Sequence, residues 1–315
     1  MTAEISVITC SHNPRPEYLE LVLGALREQT LAKSRWEYLL IDNCSQEPLE
    51  AGVNLSWHSN ARHIREEKLG LTHARLRGIR EAAGEILVFV DDDNVLDADY
   101  LEKVVQVADE WPRLGAWGGQ TRPGFESEPP DWTRQYWSRL VIREFDSDRW
   151  SNQPSHADAM PCGAGMCVRK SVADYYADLH ANGQRNIVMD RAGDSLVSGG
   201  DSDLAICACD VGLGMGLFTS LRLTHLIPAG RLTEDYLARL LEGLAYSSIV
   251  LGSFRSTRST ASLNGKSSGR KQLTKLADLA RLLIRNRRER RFFRAVRSGE
   301  EKALEFVRSR HGVTH

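Results

Sequence analysis

Apolar positions in the first 120 residues follow two alternating rhythms. Short runs rich in apolar residues, Ile5-Ser6-Val7-Ile8-Thr9, Glu37-Tyr38-Leu39-Leu40-Ile41 and Ile86-Leu87-Val88-Phe89-Val90, read as strands. The last is apolar enough to be buried on both faces. Between them apolar residues recur at helical spacing: Leu19, Val22, Leu23 and Leu26 within Glu17–Gln29, then the stretches Leu71–Ala83 and Ala98–Glu110. Gly115–Gly119 reads as one more short strand. Strands alternating with helices predict an α/β fold with a mostly parallel, doubly wound sheet.

Beyond that point the rhythm breaks. Residues 121–160 carry Pro123, Pro129, Pro130 and Pro154 among Trp132, Tyr136, Trp137 and Trp150, which predicts an irregular or partly helical insertion. Residues 161–231 return to mixed structure. Thr233–Leu251 has the pattern of a helix capped by Thr233, with Glu234 and Asp235 in its first turn. A Ser/Gly/Arg linker, Ser253–Arg270, leads into a last helical region, and no internal repeat is present. The pattern divides the chain into a domain over 1–230, a helix and linker over 231–265, and a tail over 266–315.

Chemistry concentrates at the apparent strand ends. Ile86–Val90 runs straight into Asp91-Asp92-Asp93-Asn94, while Ser11 and Asn13 follow the first strand and Asp42 closes the second. Open α/β sheets bind ligands at the carboxyl ends of their strands. Three adjacent carboxylates repel one another unless a cation intervenes. Hard oxygen ligands select Mg2+ or Mn2+, ions that usually also take oxygens from a substrate phosphate.

Composition narrows the classes. Hydrophobic content of 42% and charged content of 26% are those of a globular protein. No run of about 18 consecutive apolar residues predicts a membrane span, and Met1-Thr2-Ala3-Glu4 lacks the basic and apolar regions of a signal peptide. The six cysteines, Cys10, Cys44, Cys162, Cys167, Cys207 and Cys209, include no Cys-x-x-Cys pair and read as reduced thiols. The net charge of −1 hides an asymmetry: from Lys266 to His315 there are 15 Lys+Arg against 5 Asp+Glu, so a balance of +10 sits on a body of −11. A basic tail on an acidic body calls for an electrostatic partner.

Five segments in this order resemble the inverting family 2 glycosyltransferases of the GT-A fold. They are Ile5–Ile8 with Ser11-His12-Asn13, Leu40-Ile41-Asp42-Asn43-Cys44-Ser45, Gly70-Leu71-Thr72-His73-Ala74-Arg75, Gly84–Asp93, and Gly199-Gly200-Asp201-Ser202-Asp203-Leu204. Together they cover about residues 4–230. The resemblance implies transfer of a sugar from a nucleotide diphosphate sugar, most often a uridine diphosphate sugar, to a hydroxyl of a saccharide or lipid-linked saccharide. The nucleotide half would be about 1–120 and the acceptor half about 121–230. It implies that Ser11, Asn13, Asp42, Arg75, Asp91 and Asp92 contact the donor, and that Asp93 ligates Mg2+ or Mn2+. His225 stands where some members complete the metal shell, though a lone histidine equally suits a structural role. The family places its base in a Glu-Asp pair before a helix. Here Gly200 replaces the Glu, which leaves Asp201 as base and Asp203 as the second carboxylate. Gly163, Ala164 and Gly165 resemble the family's small-residue segment at the sugar pocket. Trp132 and Trp137 suit either an acceptor platform or the packing of the insertion.

The tail allows three readings. Leu276, Leu279, Leu283, Phe292, Phe293 and Val296 recur at helical spacing among many arginines. That pattern fits an anionic membrane surface, packing on the acidic body, or nucleic acid, of which the last is not expected. The corresponding location is cytoplasmic, peripheral at the inner face of the plasma membrane. Two rival enzymes share the acidic turn. A haloacid-dehalogenase-like phosphatase would use Asp91-Asp92-Asp93-Asn94-Val95, but it needs that motif near the N-terminus and a later Asp where Ala205 stands. A nucleotidyltransferase would share fold and metal but has less use for a hydroxyl-activating base.

Overall fold

The alternation inside β1 (Ile5–Ser11) feeds two core layers at once. In the computed structural model, which describes residues 3–185, 196–255 and 286–310, Ile5 and Val7 pack on one side of the sheet and Ile8 on the other. The same split recurs in β2 (Trp36–Asn43), where Trp36, Tyr38 and Leu40 face one layer and Leu39 and Ile41 the opposite one. It recurs again in β4 (Ile86–Phe89). Side chains alternate across a strand, so a continuously apolar run is what a strand covered on both faces requires.

Helices cover each face, and one short turn, α2 (Leu49–Gly52), follows β2. α1 (Pro16–Arg27) and α4 (Tyr100–Glu110) join the layer of Ile5 and Val7. α3 (Leu71–Glu81), α5 (Lys170–Ala181) and α6 (Gly200–Asp210) join that of Ile8. The doubly wound α/β expectation is borne out.

Among the described residues nine strands form the sheet, in the order β3 (Ala61–Glu66), β2, β1, β4, β8 (Met166–Arg169), β6 (Leu114–Phe125), β9 (Gly214–Ile227) and β5 (Asn94–Leu96), with β7 (Arg149–Ser151) also on β9. β3, β2, β1 and β4 are mutually parallel. β8 runs antiparallel to β4 and to β6. β9 is parallel to β6 and antiparallel to both β5 and β7. The chain leaves β1 toward β2 and β3, then returns to the other side of β1 as β4. That switch leaves an opening at the carboxyl ends of β1, β2 and β4. The register puts Ser11 level with Asp42 across it.

Several boundaries differ from the sequence pattern. The short strand expected at Gly115–Gly119 runs on through Phe125, because β9 pairs with it along most of its length. β3 lacks an apolar signature; only Ile64 and Glu66 in it are buried, since it is an edge strand. The insertion is a 3-10 stretch over Asp131–Leu140 followed by β7.

The chain separates into two compact units, Met1–Asp190 with Gly200–Ala229, and Arg191–Gly199 with Gly230–His315. The second contains α7 (Glu234–Phe254), whose N-cap Thr233 accepts from the Tyr236 N–H, and α8 (Arg287–Arg310). Among the described residues α7 is the one helix long and apolar enough to cross a membrane by length and composition. In the fold it is half of a helix pair. Phe292, Ala303 and Val307 of α8 are buried, and a Cβ on Gly299 would stand 2.2 Å from the Glu242 carbonyl oxygen, so the two helices cross closely. Arg288 pairs with Glu234 at 2.7 Å, Arg291 with Asp235, and Lys302 with Glu242 at 2.6 Å. Of the described part of the tail's apolar stripe, Phe292 is buried, while Phe293 and Val296 are half-buried. Leu276, Leu279 and Leu283 lie outside the described residues.

Candidate active site

The rim at the switch point is tied together by side chains of four segments. Asn13, in the left-handed region with φ 48°, donates its backbone N–H to Ser45 Oγ at 3.0 Å and accepts from the Gln46 N–H at 2.8 Å. His12 Nδ1 lies 2.7 Å from the Asn43 carbonyl oxygen, and Asn43 accepts from the Gly70 N–H at the start of α3. Asp42, 5% exposed, accepts from the Ser45 N–H at 2.9 Å, the Leu49 N–H at 3.1 Å and Arg65 at 2.6 Å. Burial by itself would raise the Asp42 carboxyl. Hydrogen bonds from Ser45, Leu49 and Arg65 outweigh it and hold the group below the usual carboxylate range. Asp42 therefore caps the loop after β2, and its partner Arg65 carries no signal in the local sequence.

The acidic turn divides its three carboxylates among three tasks. Asp91 faces the buried guanidinium of Arg75, with Nη2 4.0 Å from Oδ1. Asp92 accepts a hydrogen bond from Ser11 Oγ. Asp93 is drawn toward β9: its carbonyl accepts from the Leu226 N–H at 2.8 Å, and its Oδ2 lies 3.4 Å from His225 Nε2. Asn94 and His225 are opposite one another in the β5–β9 register, which is how Asp93 and His225, 132 positions apart in number, come together.

Asp93 alone would suit Mg2+ or Mn2+, and the pair with His225 suits Mn2+. Carboxylate oxygen and imidazole nitrogen both ligate Mn2+, and a 3.4 Å spacing lets both reach one ion at about 2.1 Å. Among the described residues no cluster of three or more His, Cys, Asp or Glu side chains is placed to hold a metal alone. A cation on this pair would need further oxygens from a ligand.

The second half of the sheet contributes the segment between the insertion and β8. Gly163 donates its N–H to Asp201 Oδ2 at 2.8 Å, and the other oxygen accepts from the Ser202 N–H at 2.8 Å. A Cβ on Gly163 would stand 2.7 Å from Arg75 Nη2 and 3.4 Å from Asp201 Oδ2. Glycine here leaves the guanidinium its place beside this backbone, where any side chain would make it shift. From the core, the buried Tyr100 hydroxyl donates to the Gly165 carbonyl at 2.6 Å. Burial pushes that hydroxyl well above its usual range, which keeps it a donor.

Arg75, Asp91, Gly163 and Asp201 thus form one group, joined through the acidic turn to Ser11, Asp92, Asp93 and His225. Other candidates fall outside it. Ala164 is 7% exposed and packs into the core. Asp203 is 2% exposed and engaged by Arg185 at 2.7 Å, so it is not the open carboxylate the sequence allowed it to be. Trp137 packs on Phe125 at 4.9 Å and its Nε1–H donates to Thr133 Oγ1, while Trp132 contacts Tyr136 within the insertion. Tyr100, Arg65 and Arg185 are the residues the sequence did not single out.

A doubly wound sheet with an acidic turn at its switch point, and a carboxylate at a helix start facing it, is the architecture of GT-A glycosyltransferases. The sequence profile of glycosyl transferase family 2 matches residues 6–174, more than half of the chain, and the chain belongs to that family. It is 32% identical over 111 residues, 35% of this chain and 36% of that protein, to an uncharacterized glycosyltransferase of Haemophilus influenzae. It is likewise 32% identical over 104 residues, 32% of this chain and 34% of that protein, to glycosyltransferase AglE of Haloferax volcanii. The chain therefore spans about a third of these relatives. Among solved structures, S. aureus TarS 1-349 in complex with UDP-GlcNAc superposes with a TM-score of 0.54 at 15% identity, over 98% of this chain and 92% of that one. The mannosyltransferase PcManGT of Pyrobaculum calidifontis, in complex with GDP-Man and Mn2+, gives 0.58 at 17% identity, over 96% and 88%. At such identities the likeness is one of fold.

Proposed function

We propose that the chain transfers a sugar from a nucleotide diphosphate sugar, a uridine diphosphate sugar in the first instance, to a hydroxyl of a saccharide or lipid-linked saccharide, with inversion. The observation that carries this reading is the Arg75–Gly163–Asp201 group beside the acidic turn. A single displacement at an anomeric carbon needs a base for the acceptor hydroxyl on one face and charge stabilisation for the leaving diphosphate on the other. Asp201, partly exposed and held by two backbone N–H groups, supplies the base. Arg75 supplies positive charge, and Ser11, Asn13, Asp91 and Asp92 border the nucleotide. A divalent cation held by Asp93 and His225 would contribute Lewis-acid charge at the diphosphate.

The neighbours support a nucleotide-sugar donor without choosing the base, since TarS was crystallised with UDP-GlcNAc and PcManGT with GDP-Man. A lipid-linked acceptor has one pointer: a glucosyl-dolichyl phosphate glucuronosyltransferase of Haloferax volcanii is 26% identical over 77 residues. Such an acceptor would place the chain in polysaccharide or cell-envelope assembly, at the cytoplasmic face of the membrane. The basic tail would meet anionic headgroups through charge.

A thermal-shift panel of UDP and GDP, each with and without Mn2+, tests the donor reading, because a ligand of the folded state raises the melting temperature. UDP with Mn2+ should give the largest shift, and Asp93→Ala should remove the Mn2+-dependent part. Asp201→Asn should leave that shift intact while lowering turnover of the donor by roughly 10²–10⁴-fold. A variant as active as wild type would remove Asp201 from the mechanism.

A further inference from the structure

We infer that Arg185 sets the orientation of Asp201, acting through Asp203; this rests on the reading of Asp201 as the base. The placement of Arg185 begins at the end of α5. Gly183, with φ +68°, takes the left-handed turn that ends many helices, and the Arg185 N–H donates back to the Leu179 carbonyl at 3.0 Å. The reversal brings the guanidinium against the first turn of α6. Its Nε donates to Asp203 Oδ2 at 2.7 Å and its Nη2 to Oδ1 at 3.4 Å. Arg185 is 8% exposed and Asp203 2%.

A buried ion pair is a weak source of stability, because desolvation offsets much of its attraction and apolar replacements are often neutral. A two-pronged contact instead supplies direction. Residues two apart on a helix point roughly 200° away from each other. Anchoring Asp203 inward therefore presents Asp201 on the opposite side, where it meets the Gly163 N–H close to Arg75. Rotating α6 by one residue, roughly 100°, would break both prongs. Arg185 also neutralises a carboxylate two positions from the base, so that negative charge does not accumulate beside it. Arg185 is a positioning residue, and a displacement of about 1 Å at a reacting group can cost about 10²-fold in rate.

The test uses the full chain, UDP with Mn2+ as the binding probe, and release of UDP from UDP-sugars as the turnover readout. Arg185→Lys keeps the charge but only one prong. The double variant Arg185→Gln with Asp203→Asn replaces the pair by a neutral hydrogen-bonded one, which keeps the test available if a single replacement does not fold. In both, kcat should fall about 10- to 100-fold, while donor KM and UDP affinity stay within about twofold of wild type. Wild-type kcat in the folded variants overturns the inference. So does a loss of UDP affinity in parallel with kcat, which would mark a general structural role. Asp201→Asn in the same series separates the two claims. If it is as active as wild type, the base assignment fails and the positioning role with it. If it is inactive while the Arg185 variants match wild type, only the positioning role fails.

Discussion

Burial decides the charge state of His58. The ring is 2% exposed and lies 4.2 Å from Trp36 between centroids, and its Nδ1 accepts from the Asn60 N–H at 3.1 Å. Burial, with a smaller contribution from the Lys33 charge, lowers its pKa from 6.5 to about 4. The native state therefore refuses a proton that the unfolded chain accepts. Stability is complete above about pH 6.5, falls as pH drops through that window, and levels off below about 4, with at most about 3 kcal/mol at stake. Urea unfolding at pH 7 and 4.5 should show this slope in wild type, and His58→Phe should flatten it. A slope that survives the substitution would assign the dependence to other groups. Asp42 titrates lower, because its hydrogen bonds hold it below the usual carboxylate range, and its contribution disappears only at more acid pH.

Among the elements, the α7–α8 pair gives a prediction whose sign is informative. A glycine inside an exposed helix normally costs about 1 kcal/mol relative to alanine, so Gly299→Ala would stabilise a loosely packed α8. Here the added Cβ would meet the Glu242 carbonyl oxygen at 2.2 Å. The substitution should instead destabilise by about 1–3 kcal/mol through overpacking, seen as a lower melting temperature. A stabilised variant would mean that the helices do not approach in this way. The strands teach a related lesson. β4 was readable because it is apolar throughout and β2 because of its apolar run Tyr38–Ile41, whereas edge strand β3 was not, because only one side of its short alternation is buried.

For the whole molecule, the proposed contact with a membrane would run through the charge of the basic tail. Arg287, Arg290 and Arg294 are exposed on one side of α8, while Phe292 is buried. Each basic residue near an anionic surface contributes about 1 kcal/mol, but Phe292 of the apolar stripe is buried, which leaves less apolar surface to insert. Attachment to anionic vesicles should therefore disappear at about 0.5 M salt, where screening is nearly complete. Apolar insertion would leave a salt-resistant remainder, and flotation at low and high salt distinguishes the two.

Local pattern was enough for the class of fold, the acidic turn and the family. Apolar runs, helical spacing and carboxylates at strand ends are properties of neighbouring residues, and their order along the chain survives without coordinates. Spatial partners across long separations were not legible. The resemblance put Asp201 ahead of Asp203 as the base, but only the packing of α6 turns one onto Gly163 and the other onto Arg185. Asp42 and Arg65 meet because β2 and β3 pair in register, and Asp93 meets His225 because β5 pairs with β9. Likewise the tail's stripe left its partner open between membrane, acidic body and nucleic acid, and only the fold shows Phe292 buried. A helix or strand specifies which of its residues share a face, but what that face meets depends on the rest of the fold.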